Sequence, residues 1–381
     1  MAIWDEAPNS NEGDYRKARA LLQTMRRKIR TVRRRKLRLR VCGKRPFMLL
    51  GGDKKQISPV VRPHSRERTV RASISSLRCV SALRRVKLAR PMRCKNRRFG
   101  AWAEKLGNGK LGTKVKDSEG SQKYIKLPAW MRQERVGASE KEFQRKAIQH
   151  AFPDLDTLGE MRFRCTLREA PLRWGVRRRY YREGKKPAMR GWVDPKYVGA
   201  IREFASQAVL CPTNRGCRAI NQAITKKWQG YRHDLLSATY LNIDDEKLDV
   251  PGLNTVEASG GLPGLLQVKE GQVVAVQANL GNGLLKNTRC LVLRVQPKRN
   301  MVTVARLSDI NRKSGKIKET YSLPRILQEI DLPLGMESIT LWRKQFPINH
   351  VGGVTVDRSQ GQSFARVSLD LRSNFWSHGQ T

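Results

Sequence analysis

An adjacent aspartate and glutamate near the start of the chain are the first residues whose types could do chemistry. Asp5 and Glu6 follow the apolar pair Ile3 and Trp4, and Pro8 then stops the strand. An acidic pair at a strand tip suits a magnesium–nucleotide site, in which one carboxylate holds the metal and its neighbour orients the attacking water. Taken alone, such a pair is more often ordinary surface charge.

Two more polar clusters follow apolar runs in the same way. They are Gly51-Gly52-Asp53 with Gln56 after the run 47–50, and Thr213-Asn214 after the run 208–211. In open α/β sheets, ligands bind beyond the carboxyl ends of the strands. The repeated order of strand, polar tip and next element therefore predicts an α/β protein with its ligand at a sheet edge.

Net charge indicates the class of partner. Lysine and arginine number 77 against 33 aspartates and glutamates, which gives a formal net charge of +44. A surplus of this size attracts polyanions, of which nucleic acid is the obvious one. The hydrophobic content of 39% lies below the roughly 45–50% typical of globular chains, so part of the chain is expected to pack poorly.

Composition also argues against several classes of protein. The apolar run 46–50 is far shorter than the roughly 20 residues of a membrane-spanning helix, and no secretory leader pattern opens the chain. We therefore expect an intracellular protein with no membrane partner. The seven cysteines form no C-x-x-C pair, which favours reduced thiols over a disulfide framework or a zinc ribbon.

The periodicity of apolar residues predicts the elements that position the polar clusters. The predicted helices are 14–36, 74–77, 102–106, 201–207 and 218–228, and the predicted strands are 47–50, 86–88, 208–211, 354–356 and 367–371. Alternating residues over 266–307, with turn signals at 281–283 and 298–300, predict a small antiparallel β unit.

The stretch 113–200 has weak periodicity and many basic residues. The aromatic residues Trp174, Tyr180, Tyr181 and Trp192 lie among these bases and could stack on nucleobases. A disordered linker is the favoured interpretation, because the stretch has few aliphatic residues with which to build a core.

Several segments, in this order, resemble the petite-integration-frequency family of superfamily 1 DNA helicases, and most closely the helicase region of Helitron-type rolling-circle transposons. They are "IWDEAP" (3–8), "FMLLGGDKKQISPVV" (47–61), "RASISSL" (71–77), "VKLARPMR" (86–93), "LCPTNRGCRAINQAI" (210–224) and the long final segment 346–380. The resemblance covers roughly residues 2–112 and 204–380.

The resemblance implies a fold of two RecA-like P-loop NTPase domains, both incomplete here, that bind ATP between them and move along single-stranded DNA. On this basis residues 1–112 are the remnant of the first domain and 113–203 are a basic, partly disordered linker. Residues 204–381 are the second domain, with a small β insertion at about 236–310.

The resemblance also implies roles for individual residues. In the nucleotide site, Asp5 coordinates Mg²⁺, Glu6 activates water, Gln56 and Arg93 contact the γ-phosphate, and Gly52, Asp53, Thr355 and Gly361 complete the ATP site. The residues expected to contact DNA are Thr213, Asn214, Arg358, Ser359 and Gln360. A hydroxyl, an amide and glycine N–H groups can hold phosphates without reading the bases.

The sequence departs from the family pattern in ways that bear on activity. No G-x-x-x-x-G-K-[ST] loop and no final Tyr-Val-Ala-Leu-Ser-Arg stretch occur in the 381 residues, while Lys54, Pro91 and Arg358 replace the residues usual in the family. We therefore expect a fragment, truncated at both ends, with little ATPase activity alone.

The leading hypothesis is a member of an ATP-dependent DNA helicase family that uses ATP and Mg²⁺. Its expected roles are DNA repair, recombination, telomere maintenance or rolling-circle transposition, and its expected location is the nucleus. Single-stranded DNA, duplex junctions and transposon replication proteins are the expected partners. The alternative is a non-enzymatic, basic nucleic-acid-binding protein that retains a helicase-like scaffold. Affinity for nucleotide separates the two hypotheses.

Overall fold

The computed structural model divides the chain into two compact units, which we call the N-terminal unit (mainly residues 1–137) and the C-terminal unit (Ala138–Asn374). The structure describes residues 2–5, 7, 10–34, 48–53, 66–86, 94, 96–117, 120–132, 139–169, 189–243, 246–248, 252, 261–281, 283–330 and 340–372.

The N-terminal unit combines a short parallel strand pair with helices and a hairpin. Its elements are β1 (Ala2–Trp4), α1 (Glu12–Arg34), β2 (Met48–Leu50), α2 (Arg66–Ala72), α3 (Arg78–Ser81), α4 (Arg97–Gly107), β3 (Thr113–Asp117) and β4 (Gly120–Tyr124). β1 and β2 pair in parallel, and β3 and β4 form an antiparallel hairpin. A small core contains Tyr15, Ile74 and Val80.

Local chemistry explains the start of α1. The side chain of Asn11 accepts a hydrogen bond from the backbone N–H of Asp14 (2.9 Å), which satisfies one of the unpaired donors of the first turn. Glu12 and Asp14 in that turn complement the positive end of the helix dipole. The predicted helix over 14–36 is therefore confirmed, with a start two residues earlier.

The other predictions for this unit have mixed outcomes. The helices predicted over 74–77 and 102–106 are confirmed, the first as a 3₁₀ helix at Ile74–Ser76. The apolar run 47–50 predicts a buried strand; the strand exists at Met48–Leu50, but Leu49 is 53% exposed, so the prediction of burial is wrong. Of the strand predicted over 86–88, Val86 lies outside any strand, and the remaining two residues are outside the described ranges.

The C-terminal unit contains a parallel sheet with helices and a larger antiparallel β region. Its helices are α5 (Glu140–Ala151), α6 (Leu155–Glu160), α7 (Pro195–Ala205), α8 (Asn214–Lys227) and α9 (Val356–Ser359). Its first strands are β5 (Cys165–Glu169), β6 (Met189–Val193), β7 (Gln207–Cys211), β8 (Arg232–Leu236), β9 (Ala238–Ile243), β10 (Glu246–Leu248), β11 (Leu265–Lys269), β12 (Val273–Val276) and β13 (Arg289–Gln296). The remaining strands are β14 (Met301–Arg306), β15 (Lys316–Ile317), β16 (Tyr321–Leu323), β17 (Ile326–Ile330), β18 (Thr340–Gln345), β19 (Ile348–His350), β20 (Gly353–Thr355) and β21 (Arg366–Leu369).

The parallel sheet has the order β20-β7-β21, and helix α8 packs against it. The residues of β7 are almost entirely buried, as expected for the central strand of a covered parallel sheet. The strand predicted over 208–211 and the amphipathic helix predicted over 218–228 are confirmed. This sheet places the chain in the α/β class, as predicted from the sequence.

The antiparallel β region is larger than the sequence indicated. Sheets of order β16-β14-β13-β12-β19 and β10-β9-β18-β17, with the pair β11-β8, extend from Arg232 to His350. The predicted β unit over 266–307, and the insertion at about 236–310, therefore have bounds that are too narrow. Strands after 310 return to pair with β14, β9 and β12, and pairings of this separation leave no local signal in the sequence.

The poorly ordered linker predicted over 113–203 differs from the structure. Helices α5, α6 and α7 lie in this range, and Phe152 and Tyr197 are buried in the main core of the C-terminal unit. The Ser139 hydroxyl accepts a hydrogen bond from the N–H of Glu142 (3.4 Å), and this S-x-x-E pattern is a helix-start signal. The basic composition of the range concealed that signal. Residues 170–188, with Trp174, Tyr180 and Tyr181, are outside the described ranges.

Two observations bear on the expected class of protein. Within the described ranges, no helix is both long and apolar enough to cross a membrane. The six cysteines in these ranges are free thiols, and Cys211, Cys217 and Cys290 are buried.

Candidate functional site

Two of the predicted polar clusters meet at the carboxyl ends of β1 and β2. The N–H of Gly51 donates to the carbonyl oxygen of Trp4 (2.8 Å), and the N–H of Ala7 donates to the carbonyl oxygen of Gly51 (2.9 Å). Asp5 and the Gly51–Asp53 turn therefore leave adjacent parallel strands at the same edge. In open α/β sheets, ligands bind beyond an edge of this kind.

The backbone of this turn keeps space beside the Asp5 carboxylate. A Cβ atom on Gly51 would lie 3.6 Å from Oδ1 of Asp5, and Gly52 has a φ of 144°, which favours glycine. Within the described ranges, no group of three or more histidine, cysteine or acidic side chains could hold a metal ion. Mg²⁺ often takes one or two protein carboxylates and the rest of its ligands from water and phosphate, so the role of Asp5 as a magnesium ligand stays a prediction.

A third cluster lies at the carboxyl end of β7. The Thr213 hydroxyl accepts a hydrogen bond from the N–H of Gly216 (3.1 Å) and caps α8, whose first residue is Asn214. A Cβ atom on Gly216 would lie 3.3 Å from Cβ of Cys211, so a small residue permits the tight turn from strand to helix. Thr213 therefore sets the start of the helix, and its role toward DNA stays a prediction.

The neighbouring strand β20 ends at the same sheet edge. Thr355 is in register with Cys211, and its hydroxyl accepts a hydrogen bond from the N–H of Arg358 (3.4 Å), which caps α9. The Ser359 hydroxyl donates to the carbonyl oxygen of Val356 (2.7 Å), and Gly361 has a φ of 73°. The structure therefore places the Thr213 and Thr355 turns at the same edge of the parallel sheet, and their role toward DNA stays a prediction.

Arg289, the first residue of β13, ties this turn to the β region. Its Nη2 donates to Oε1 of Gln362 (3.1 Å), its Nη1 donates to the carbonyl oxygen of Ala205, and its guanidinium lies 5.3 Å from the centre of the Phe364 ring. Nε2 of Gln362 in turn donates to the carbonyl oxygen of Arg358 (2.6 Å). Burial lowers the pKa of Arg289, but a guanidinium keeps its charge in proteins.

Replacing Arg289 with glutamine is expected to lower the free energy of unfolding by about 1–2 kcal/mol, because its charge-assisted hydrogen bonds to Ala205 and Gln362 are removed. Urea unfolding followed by circular dichroism measures this decrease. Arg294→Gln is the matched control, because Arg294 is exposed on the same strand. If the two variants were equally stable, the hydrogen bonds of Arg289 would make no net contribution to the free energy of unfolding.

Two further features of this edge were missed by sequence reasoning. Asn221 on α8 brackets Gly353: Oδ1 accepts from its N–H (2.7 Å), and Nδ2 donates to its carbonyl oxygen (3.0 Å). After β21, the buried Asp370 carboxylate accepts hydrogen bonds from Nε (2.8 Å) and Nη2 (2.7 Å) of Arg372. An asparagine between Ile220 and Ile224 on an apolar helix face was the available signal for Asn221.

The remaining predicted site residues stay predictions. Glu6, Gln56 and Arg93 lie outside the described ranges, so their positions do not enter the site. Asp5, Gly52 and Asp53 belong to the N-terminal unit. Thr213, Asn214, Thr355, Arg358, Ser359, Gln360 and Gly361 belong to the C-terminal unit.

Comparisons with known proteins found a matching family model and similar solved structures. Residues 1–117 match the family model described as PIF1-like helicase. No curated protein matches the chain. Among solved structures, the Pif1 helicase of Candida albicans is similar, with 15% identity, a TM-score of 0.48, and coverage of 99% of this chain and 68% of that one.

A second similar structure is the Pif1 helicase from Bacteroides in complex with ADP-AlF3 and ssDNA. It is 14% identical, with a TM-score of 0.47 and coverage of 99% of this chain and 66% of that one. The chain therefore spans about two thirds of the length of these helicases. Residues 1–117 are thus the part of this chain that is similar to the PIF1-like helicase family.

Proposed function

We propose that the chain is part of an ATP-dependent DNA helicase, with a nucleotide site in its N-terminal unit and a DNA-backbone site in its C-terminal unit. The observation that carries the proposal is the meeting of Asp5 with the Gly51–Asp53 turn at adjacent parallel strand ends. This edge lies within the residues that match the helicase family. Neither feature alone would specify a nucleotide site.

The proposed nucleotide site assigns a separate role to each residue. Asp5 would hold Mg²⁺, which neutralises phosphate charge when it is bound. Glu6 would orient and deprotonate the attacking water, while Gln56 and Arg93 would contact the γ-phosphate. Gly51 has no side chain, so the position 3.6 Å from Oδ1 of Asp5 that a Cβ atom would take is open to a phosphate group.

The proposed DNA site uses the two capped turns of the C-terminal unit. Helix caps at Thr213 and Thr355 hold the turns in place, so the side chains of Asn214, Arg358 and Gln360 can meet phosphates in a fixed arrangement. Contacts of this kind position a strand without reading its sequence. The net charge of +44 adds attraction that weakens as salt rises.

The finer biological roles belong to the same proposal. The order of motifs resembles that of Helitron-type helicases, which supports a function in rolling-circle transposition in the nucleus. Repair, recombination and telomere maintenance are the other roles that the family resemblance implies. Duplex junctions and transposon replication proteins are the corresponding partners.

One observation favours a second candidate, a non-enzymatic nucleic-acid-binding protein. The 381 residues contain no G-x-x-x-x-G-K-[ST] run, and that loop supplies the backbone N–H groups and lysine that hold the β- and γ-phosphates. Under this candidate, the strand tips would be scaffold only, and nucleotide would not bind.

The purified 381-residue chain is expected to bind single-stranded DNA with steep salt dependence and to bind Mg-ATP weakly, with ATP turnover near background. Asp5→Asn should weaken Mg-ATP binding by about tenfold, or roughly 1.4 kcal/mol, because a metal ligand is removed. Titration calorimetry measures the affinity for nucleotide, and a coupled assay with and without single-stranded DNA measures turnover.

Asp14→Asn is the control for this experiment, because Asp14 is an exposed acid in the first turn of α1. Its affinity for Mg-ATP should equal that of the unchanged chain. No nucleotide binding at millimolar Mg-ATP would reject the helicase-type site and favour the non-enzymatic candidate. DNA-stimulated turnover would refute the expectation of low activity.

A further inference from the structure

A surface groove on the C-terminal unit lies outside every residue set assigned above. It has a volume of about 490 Å³, with Tyr231, His233 and Asp234 on one wall and Pro297, Lys298 and Arg299 on the other. The first wall is the start of β8, and the second is the turn between β13 and β14. None of these residues belongs to the capped turns at Thr213 and Thr355.

The first wall presents an aromatic ring to solvent. Tyr231 is 78% exposed, and its ring meets that of His233 edge to face, with centres 4.9 Å apart and planes at 76°. Burial lowers the pKa of His233, which favours the uncharged form of its ring. A tyrosine ring held in this way exposes a flat apolar face, on which an unpaired base can stack.

The second wall presents two cations on a rigid turn. Lys298 and Arg299 are exposed in a 3₁₀ helix that begins at Pro297 and ends at Asn300, which has a φ of 47°. Proline fixes its own φ, which limits the motion of the turn. Neither cation forms a salt bridge with another residue that the structure describes.

Asp234, the acidic residue of the groove, does not neutralise the positive charges of Lys298 and Arg299. Oδ1 of Asp234 lies 2.9 Å from Nε of Arg232, and Nη2 of Arg232 donates to Oδ2 (3.1 Å). The acid is thus paired on its own strand. The groove therefore combines one exposed aromatic face with two positive charges, and a nucleotide carries the complementary base and phosphate.

We propose that this groove binds a nucleotide of single-stranded nucleic acid, with the unpaired base stacked on Tyr231 and the phosphate backbone contacting Lys298 and Arg299. A duplex keeps its bases stacked on one another and can use only the basic wall. The proposal depends only on the residues of the groove and does not require ATP binding by the N-terminal unit.

The test uses the full chain, a thymidine oligonucleotide that carries 5-iododeoxyuridine, and a duplex of equal length. Irradiation is expected to crosslink the peptide that contains Tyr231 to the single strand. Tyr231→Ala should weaken single-strand binding by about fivefold, as for the removal of one stacking platform, and leave duplex binding unchanged. Tyr231→Phe should retain the affinity, because the ring remains.

The second wall, which carries Lys298 and Arg299, is tested by the salt dependence of single-strand binding. Replacing both Lys298 and Arg299 with alanine should reduce the slope of log affinity against log salt by about 0.7 for each single-strand phosphate that the variant no longer neutralises. The double replacement of Arg312 and Lys313 is the matched control, because it removes an exposed basic pair from another turn of this unit. Leu285→Ala controls for removal of an exposed apolar side chain (59% exposed).

Two outcomes would overturn the proposal. One is unchanged single-strand affinity in Tyr231→Ala with crosslinks confined to other peptides. The other is an equal slope change in the Lys298/Arg299 and Arg312/Lys313 variants, which would reduce the groove to general positive charge. Affinity for Mg-ATP, measured with the same proteins, reports on the N-terminal unit alone, so failure of the groove and failure of the helicase proposal are distinguishable.

Discussion

Replacing Asn221 with leucine is expected to lower the free energy of unfolding by roughly 2–4 kcal/mol, because one buried donor and one buried acceptor lose their partners. Those groups are the N–H and carbonyl oxygen of Gly353, which the Asn221 amide brackets at 2.7 and 3.0 Å. β20 is an edge strand of the parallel sheet. Its outer backbone groups face α8, so the asparagine takes the place of a further strand.

The close approach of helix and strand explains why water cannot replace the amide. A Cβ atom on Gly353 would lie 2.8 Å from the carbonyl oxygen of Cys217 and 3.0 Å from Cβ of Ile220. Leucine has the same branched shape as asparagine but offers no hydrogen bond. The substitution should also displace Thr355, because β20 leads directly into the capped turn.

Urea unfolding at neutral pH measures the decrease in stability of Asn221→Leu. Gln222→Leu is the matched control, because the adjacent Gln222 is exposed on α8 and should change the stability by less than about 0.5 kcal/mol. If the two variants unfolded at the same urea concentration, the bracket would have no role in stability.

Replacing Arg372 with methionine is expected to lower the free energy of unfolding by about 2–3 kcal/mol at neutral pH, because a buried carboxylate loses its charged partner. Asp370 is 6% exposed and accepts three hydrogen bonds from Arg372, two from the guanidinium and one from the backbone N–H (3.2 Å). The Arg372 side chain is 25% exposed, so we expect less than the full cost of breaking a wholly buried pair.

The same pair predicts a pH dependence. Burial raises the pKa of Asp370, but the side-chain and backbone hydrogen bonds from Arg372 outweigh it, so the pKa lies below its ordinary value. A carboxyl whose pKa is lower in the folded state contributes stability above its unfolded pKa of about 3.9. That stability is lost as the pH falls through the lower, folded value.

In Arg372→Met the guanidinium bonds are absent while the burial remains, so the pKa of Asp370 should rise. The stability difference between the unchanged chain and the variant should therefore be largest near pH 7 and shrink below about pH 4. Unfolding curves at both pH values measure it. Arg366→Met, at an exposed position of β21, should show no such change. A pH-independent difference would contradict the role of Asp370.

Local sequence patterns correctly predicted several helices and strands of this protein. Alternating and helical spacings predicted β7, α1, α8 and the strand before Gly51, because periodicity follows from which side of an element is buried. Strand ends followed by polar residues predicted an α/β sheet with polar side chains at the ends of its strands, and Asp5 and the glycine turn lie at such ends. Motif order predicted the family, which the match of residues 1–117 supports.

The sequence-based prediction failed where a basic composition hid the helical spacing of the apolar residues. The described parts of 139–205 have few aliphatic residues, yet several recur at helical positions and are buried in the main core: Ile148, Leu155, Leu158, Val198 and Ile201. The same range carries helix caps at Ser139 and Asp194. Burial depends on where apolar residues fall and not only on how many there are, so a basic composition did not prevent folding.

The sequence by itself determined the α/β class, most of the helices and strands, the polar strand tips and the basic surplus that predicts a nucleic-acid partner. Only the tertiary structure decided which side chains meet: Asn221 with Gly353 across 132 residues, Arg289 with Gln362 across 73, and Tyr231 with the Lys298 turn. The physical reason is the distance along the chain over which each effect acts. Periodicity and capping act within a few residues, whereas these contacts arise only when distant strands and helices pack together.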